Sequence, residues 1–363
     1  MSQRRGTRVS GTWIYFLITV LLIFSIGVAH GASSDGNVRI ADGKLLRDGS
    51  PWIPKGFTFE AFVAPDSALE GRRGFPSEMQ EKLRLVSLAR AKFSDQSISS
   101  AMALGASVIR FQISQPGLDP RSKIYRQNYV KEIVDAVTAV RRRGVTVILS
   151  MHHGEWSGLP KQGGYPSAST KRAWQTIAPF INNDMGVIME VFNEPGGSGT
   201  DKWGKWQGSH QELIDFIRKD LGAKNVLVVH GLKGGRELEG MPRLVDKIGQ
   251  IAFGVHPYIG SAAHDSPEEF EKKWGWLTSK EVVIVTEWNA LGRWPGCSDK
   301  LPKAASALLK YLKEKRLGLI GWAFDVEGTI YDKSGAPTDF KELSCDISSN
   351  SGAGKLILDF VSE

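Results

Sequence analysis

Short runs rich in apolar and β-branched residues recur along the chain at 52–59, 106–114, 145–153, 186–195, 225–231, 251–258, 281–290 and 317–325. Each closes in a turn or a polar cluster, the pattern of a strand buried on both faces. Helical spacing fills the intervals. Val130, Ile133, Val134 and Val137 repeat at i, i+3, i+4, i+7, one buried helix face. Leu213, Ile214, Ile217 and Leu221 do the same, behind a Ser209-x-x-Glu212 capping box and ahead of Gly222 as a stop. Ser266 and Pro267 open a further helix, with Ser as cap and Pro at its first position. Leu308, Leu309 and Leu312 line another, and Leu356, Ile357 and Phe360 close the chain with a last one. Eight strands alternating with helices predict a single (β/α)8 barrel rather than an open doubly wound sheet. No G-x-G-x-x-G follows the first run, as a dinucleotide-binding sheet would require.

Two segments ahead of the first strand read differently. Residues 38–40 and 45–46 flank Asp42 and Gly43, a tight-turn pair, and predict a small β-hairpin that caps the bottom of the barrel. Before it, Arg4, Arg5 and Arg8 precede an apolar-to-neutral run from 13 to 28, then Ala29, His30 and Gly31. This is the layout of a signal peptide, too short for a bilayer span, with cleavage expected before Ala32. An uncleaved signal anchor is the alternative. Residues 1–31 are thus read as signal peptide and 32–363 as one folded domain, exported to the periplasm or the medium.

Composition narrows the class without naming it. Of 363 residues, 41% are hydrophobic and 23% charged, ordinary globular values that exclude disordered, collagenous and multi-span membrane chains. Beyond residue 31 there are 43 basic against 39 acidic residues, in no block, which gives no reason to expect a nucleic-acid partner. Cys297 and Cys345 fall in predicted loops, and export makes a disulfide between them the expectation. A monomer is expected.

Barrels of this kind place their chemistry at the carboxyl ends of the strands. Those ends hold Arg110, then Ser150, His152 and His153, then Asn193 and Glu194, then His256 and Tyr258, then Glu287 and Trp288, then Trp322 and Asp325. An ionisable residue ending an apolar strand is not core packing, because burying it unpaired costs several kcal/mol. Two Glu across a barrel mouth are the minimum set for hydrolysing a glycosidic bond, one protonating the departing oxygen while the other attacks the sugar carbon. In that arrangement Asn193 can donate to the sugar 2-hydroxyl, Arg110 and Tyr258 can hold Glu287 ionised, and His256 can adjust Glu194.

The chain resembles glycoside hydrolase family 5, the cellulase-type barrels that retain anomeric configuration. The likeness runs from Lys55 and Gly56 to Trp322, and its most specific stretch is Val187-Ile188-Met189-Glu190-Val191-Phe192-Asn193-Glu194-Pro195, with Glu287 following 93 positions after Glu194. The resemblance implies that Glu194 is the acid/base and Glu287 the nucleophile. It implies that Arg110, Asn193, His256, Tyr258 and Trp322 surround the reacting sugar. Where the family shows Asp-x-His, this chain has Ser150-Met151-His152, so His152 matches and its usual support does not.

Other residues carry plainer readings. Glu190 shares the strand parity of Glu194 four residues deeper, as a polar layer inside the barrel. His153, adjacent to His152, points the other way. His152, His153 and Glu155 lack metal-site spacing, so neither a metal nor another cofactor is expected. His210, His230 and His264 read as packing or surface residues. Trp174, Trp274 and Trp276 belong to helical patterns and the core. Trp156, Trp203, Trp206, Trp288, Trp294 and Trp322 lie on the catalytic face, with Trp288 and Trp322 expected to stack on sugar rings. The expected function is an exported retaining endo-β-1,4-glucanase acting on a β-linked polysaccharide. A β-mannanase, a transglycosylase with the same Glu pair and a non-catalytic glycan-binding barrel are the alternatives.

Overall fold

Strands with no polar face must be covered on both sides, and a closed barrel inside a ring of helices does this. In the computed structural model, residues 35–161, 163–196, 200–259, 266–290, 301–339 and 352–363 are described, apart from the side chains of 72, 301 and 302. The eight predicted runs become β4 (Gly56–Phe59), β5 (Val108–Ser114), β6 (Thr146–His152), β7 (Val187–Glu190), β8 (Leu227–His230), β9 (Ile251–Val255), β10 (Val283–Val285) and β11 (Ile320–Gly321). Consecutive strands from β4 to β10 pair in parallel, and β11 pairs in parallel with β4. Closure between β10 and β11 comes from the residues just past β10: the Trp288 N–H donates to the Ile320 carbonyl at 3.1 Å, and the Trp322 N–H to the Trp288 carbonyl at 2.9 Å. This is the (β/α)8 barrel.

Three further strands precede it: β1 (Val38–Ala41), β2 (Lys44–Arg47) and β3 (Ser50–Pro51), an antiparallel sheet. Asp42 and Gly43 both take positive φ, 51° and 69°, as the tight turn between β1 and β2 requires. Val38 and Leu45 are buried in one cluster with Val108, Ile148, Ile188, Val228, Ala252, Ile284 and Ile320, the inward residues at the amino ends of the strands. Gln250 pins the hairpin there, its Nε2 donating to the Ile40 carbonyl at 2.9 Å and its Oε1 accepting from the Ile40 N–H at 2.7 Å. The hairpin does cap the barrel bottom.

The expected helices appear at Gln127–Arg141, Lys202–Lys219, Pro267–Lys273, Leu301–Glu314 and Gly354–Ser362. Ser266 caps its helix by accepting from the Glu269 N–H at 3.4 Å. The capping box at Ser209 is a correction. That helix begins eight residues earlier, capped by Asp201, which accepts from the Gly204 N–H at 2.9 Å, while the Ser209 hydroxyl inside the helix donates to the Trp206 carbonyl. Helices Ser77–Lys92, Asp95–Ala103 and Ala168–Ile177 carried no pattern singled out in the sequence. In Ser77–Lys92 the apolar residues split between two clusters. Met79, Leu83 and Val86 face Val63, Ala64 and Leu69, whereas Leu85 and Ala89 face Ala323 and Val326. No single stripe results.

Among the described residues no helix is long and apolar enough to cross a membrane. Residues 1–31, Cys297, Cys345, His264 and Trp294 lie outside the described residues.

Candidate active site

The inward residues change character along the barrel axis. Above the apolar bottom sits a polar layer organised by Arg110, which is fully buried. Its Nε and Nη2 form a two-pronged pair with Glu190 at 3.0 and 2.6 Å. The same Nη2 donates to Ser150 Oγ at 3.0 Å and to Asn193 Oδ1 at 2.8 Å, and Nη1 donates to Glu287 Oε2 at 2.7 Å. Burial opposes the guanidinium charge, but Glu190 and Glu287 outweigh it and raise the pKa of Arg110 further. Glu190 is correspondingly held well below the usual carboxylate range: burial works against its charge, and Arg110 and His230 overcome this. Glu190 is therefore the buried polar layer that its parity suggested. Ser150, standing where an Asp was expected, donates its hydroxyl to Glu190.

Above this layer the two glutamates face each other at the mouth. Glu287 accepts from Arg110, from Gln112 Nε2 at 2.8 Å and from the Tyr258 hydroxyl at 2.8 Å. Three donors and no acceptor match a carboxylate, which can only accept. Glu194 lies beyond the last residue of β7 with φ at +49°, left-handed for a residue with a side chain. Strain of this kind collects at functional sites. The Glu194 side chain is 37% exposed against 8% for Glu287, so it is the one open to the cleft. Burial of its inner side pushes the Glu194 carboxyl up, against the pull of His230 and Arg110.

A chain of hydrogen bonds supports Glu194 from below. Its N–H donates to His230 Nδ1 at 3.2 Å, which leaves His230 Nε2 to donate to Thr286 Oγ1 at 3.0 Å. The Thr286 hydroxyl can then serve His256 Nε2 at 3.1 Å, and His256 Nδ1–H donates to Glu194 Oε1 at 2.9 Å. Burial lowers the His256 pKa to about 3, so the ring stays neutral. One oxygen of Glu194 is thereby occupied and the other is free to carry a proton. Oxygens of Glu194 and Glu287 and Nδ1 of His256 all lie within 4.8 Å of one another. That set, and Glu190 with His230 and His256, could hold a metal by geometry, although the bonds above already engage these groups.

A cleft of about 510 Å³ opens over the pair, lined among others by Glu60, Gln112, His152, Trp156, Asn193 and Trp322. The His152 Nδ1 accepts from the Gly154 N–H at 3.1 Å, which leaves its Nε2–H to donate into the cleft that His152 lines. Burial keeps this ring neutral too. Asn193 gives its carbonyl oxygen to Arg110, so its NH2 is left to donate. Trp322 and Trp156 stand half-exposed, ring centroids 6.1 Å apart and nearly perpendicular. His153 points away, stacked on Phe192 at 4.1 Å.

Trp288 is the correction among the expected site residues. Its side chain is fully buried in the helix-facing core and offers no face to a ligand. The β10 ladder ends at Val285, Thr286 and Glu287 both face inside, and the next residue must turn outward. Trp206 is buried as well, its N–H on the His230 carbonyl at 2.8 Å, and Trp203 packs edge-on against it. Three residues not singled out belong to the site: Glu60 directly follows the first strand, Gln112 shares the parity of Arg110, and Thr286 precedes Glu287. His230, read from the sequence as a packing or surface residue, is a correction: it ends the fifth strand and joins the site through Glu194 and Thr286. Glu60, Gln112 and His230 were findable by extending the same strand-end and parity reasoning to every run; Thr286 was not, because it and Glu287 both face inside past the end of the β10 ladder.

The family model for cellulases (glycosyl hydrolase family 5) matches residues 77–328. Solved structures share the fold. A β-glucanase from Saccharophagus degradans is 18% identical over 91% of this chain and 95% of its own, with a TM-score of 0.67. The catalytic domain of an endoglucanase from Thermobifida fusca is 16% identical over 90% and 98%, with a TM-score of 0.59. A β-mannanase from Streptomyces thermolilacinus is 18% identical over 79% and 85%, with a TM-score of 0.55. Among curated proteins no sequence matches.

Proposed function

The chain belongs to glycosyl hydrolase family 5, and we propose that it is an exported retaining β-glycanase that cuts β-1,4-linked glucan within the chain. The observation that carries the stereochemistry is the approach of Glu194 and Glu287, whose oxygens lie within 4.8 Å. Retaining enzymes keep their carboxyls about 5–5.5 Å apart, whereas inverting ones need about 6.5–9.5 Å to admit a water.

In the first step an oxygen of Glu287 attacks the anomeric carbon. The bond to the leaving oxygen breaks, and that oxygen takes the proton from Glu194. The sugar is now esterified to Glu287. In the second step water attacks the same carbon, Glu194 accepts its proton, and the ester bond returns its electron pair to Glu287. Arg110, Gln112 and Tyr258 favour the departing carboxylate by their three hydrogen bonds. The NH2 of Asn193 addresses the sugar 2-hydroxyl, His152 Nε2–H a second hydroxyl, and Trp322 carries the ring face. Trp156 beside it extends the aromatic floor toward a neighbouring sugar, which suits a polymer. A mannan substrate is the second reading, favoured by the mannanase among the structures that share the fold. The basic and apolar stretches within residues 1–31 support export.

Reducing-sugar release from carboxymethyl-cellulose, mixed-linkage glucan, glucomannan, mannan and xylan tests the proposal. The wild type should cleave one or two of these. Glu287→Gln should abolish cleavage, and Glu194→Gln should lower it by roughly 10²–10⁴-fold, the usual worth of a general acid. Because Glu194 must start protonated and its carboxyl is raised, activity should fall as pH rises through that pKa, a limb that Glu194→Gln lacks. A wild type that binds a polymer yet cleaves none would mean a glycan-binding barrel instead.

A further inference from the structure

A buried carboxyl in the cleft wall, Glu60, takes part in neither step above. Glu60 follows β4 and is 1% exposed. Its backbone is fixed by Asp325, whose two oxygens accept from the N–H groups of Glu60 and Ala61 at 2.9 and 3.0 Å. Its Oε1 accepts from the Trp322 indole N–H at 2.6 Å. Its Oε2 is buried and has no partner, and among the described residues that line the cleft it is the one buried side-chain polar atom in this condition. An unpaired buried oxygen is costly, and one that faces a binding cleft calls for a functional partner.

The Glu60 proton sharpens the picture. Burial, with Glu287 and Asp325 nearby, pushes this carboxyl well above its ordinary range. A neutral acid can accept through one oxygen while donating through the other. Oε1 already accepts from Trp322, so the donor is directed from Oε2.

We infer that Glu60 is a specificity-determining residue of the reacting subsite: one oxygen orients the Trp322 indole, and the other grips the 3- or 6-hydroxyl of the sugar that Glu287 attacks. This rests on the retaining-glycanase reading. In a β-1,4-linked pyranose, O1 is the scissile oxygen, O4 carries the next sugar and O2 is taken by Asn193, so O3 and O6 remain, one for His152 and the other for Glu60. The Glu60 contact selects among sugars by a hydroxyl that neither Glu287 nor Glu194 reads.

The test compares p-nitrophenyl β-cellobioside, or the mannobioside if the polymer panel selects mannan, with analogues deoxygenated at C3 or at C6 of the reacting sugar. Wild type, Glu60→Gln and Glu60→Ala are assayed on all three. On the parent, Glu60→Ala should lower kcat/KM by about tenfold or more, the worth of a hydrogen bond left unmade. Glu60→Gln keeps both an acceptor for Trp322 and a donor, and should restore most of the loss. On the analogue lacking the gripped hydroxyl, the Glu60→Ala penalty should shrink to the part that acts through Trp322, which all three substrates share. If Glu60→Ala does not fold, Glu60→Met supplies the same volume without polar atoms. An equal penalty on all three substrates, or none on the parent, overturns the inference while leaving the glycanase intact. A wild type that cleaves neither polymer nor aryl glycoside overturns the retaining reading and this inference with it.

Discussion

At the scale of single residues, position along a strand end decides role more than residue type does. Glu190, Glu194 and Glu287 are one amino acid in three environments. Glu190 is sealed against Arg110, Glu287 is held by three donors, and Glu194 is lifted onto a left-handed backbone where its carboxyl is raised and open. Asp325 adds a fourth environment. Burial raises its pKa to about 6, although two backbone N–H groups pull the other way. A carboxyl raised on folding contributes its stability below its unfolded pKa, and loses it as pH rises through the folded value. Relative to Asp325→Asn, the wild type should therefore be at its most stable near pH 3.8 and below, and lose on the order of 3 kcal/mol by pH 6–7, by the usual conversion. Chemical denaturation of both proteins across pH 3.5–7.5 measures this, and a pH-independent difference would refute it.

At the scale of elements, the bottom hairpin can be tested by itself. Leu45 is 7% exposed and packs into the apolar floor with Val108 and Ile148, so Leu45→Ala should cost about 2–5 kcal/mol with little change in KM. Thermal unfolding beside an activity assay separates the two effects. The hairpin was legible because Asp42 and Gly43 announce their turn, and the eight strands because each is a short run dominated by apolar and β-branched residues. Helix Ser77–Lys92 was not, because it splits its apolar residues between two clusters. The start of Lys202–Lys219 was misread because Ser209 followed by Glu212 mimics a cap, while the true cap, Asp201, precedes a stretch with two Trp and two Gly. At the site, the glutamate pair, Arg110, His152, Asn193, His256, Tyr258 and Trp322 could be read from strand ends. Trp288 could not, because its direction depends on where the β10 ladder stops.

At the scale of the whole molecule, the barrel separates its tasks along its axis, with an apolar floor, a charged middle layer and a cleft with half-exposed Trp156 and Trp322. The proposed action within the chain breaks internal bonds. The viscosity of the polymer selected by the panel should therefore collapse early, while reducing ends are still few; parallel viscometry and sugar assays check this, and a fall in step with reducing ends would indicate release from chain termini. The charged middle layer has a further consequence. Arg110, on β5, joins Glu190, Ser150, Asn193 and Glu287, so one guanidinium binds together four positions from three other parts of the barrel. Contacting residues of this kind do not contribute additively. In evolutionary terms they form a single locus. A change at one of them alters the worth of changes at the others, so a library that varies them together samples combinations that one-at-a-time substitution misses.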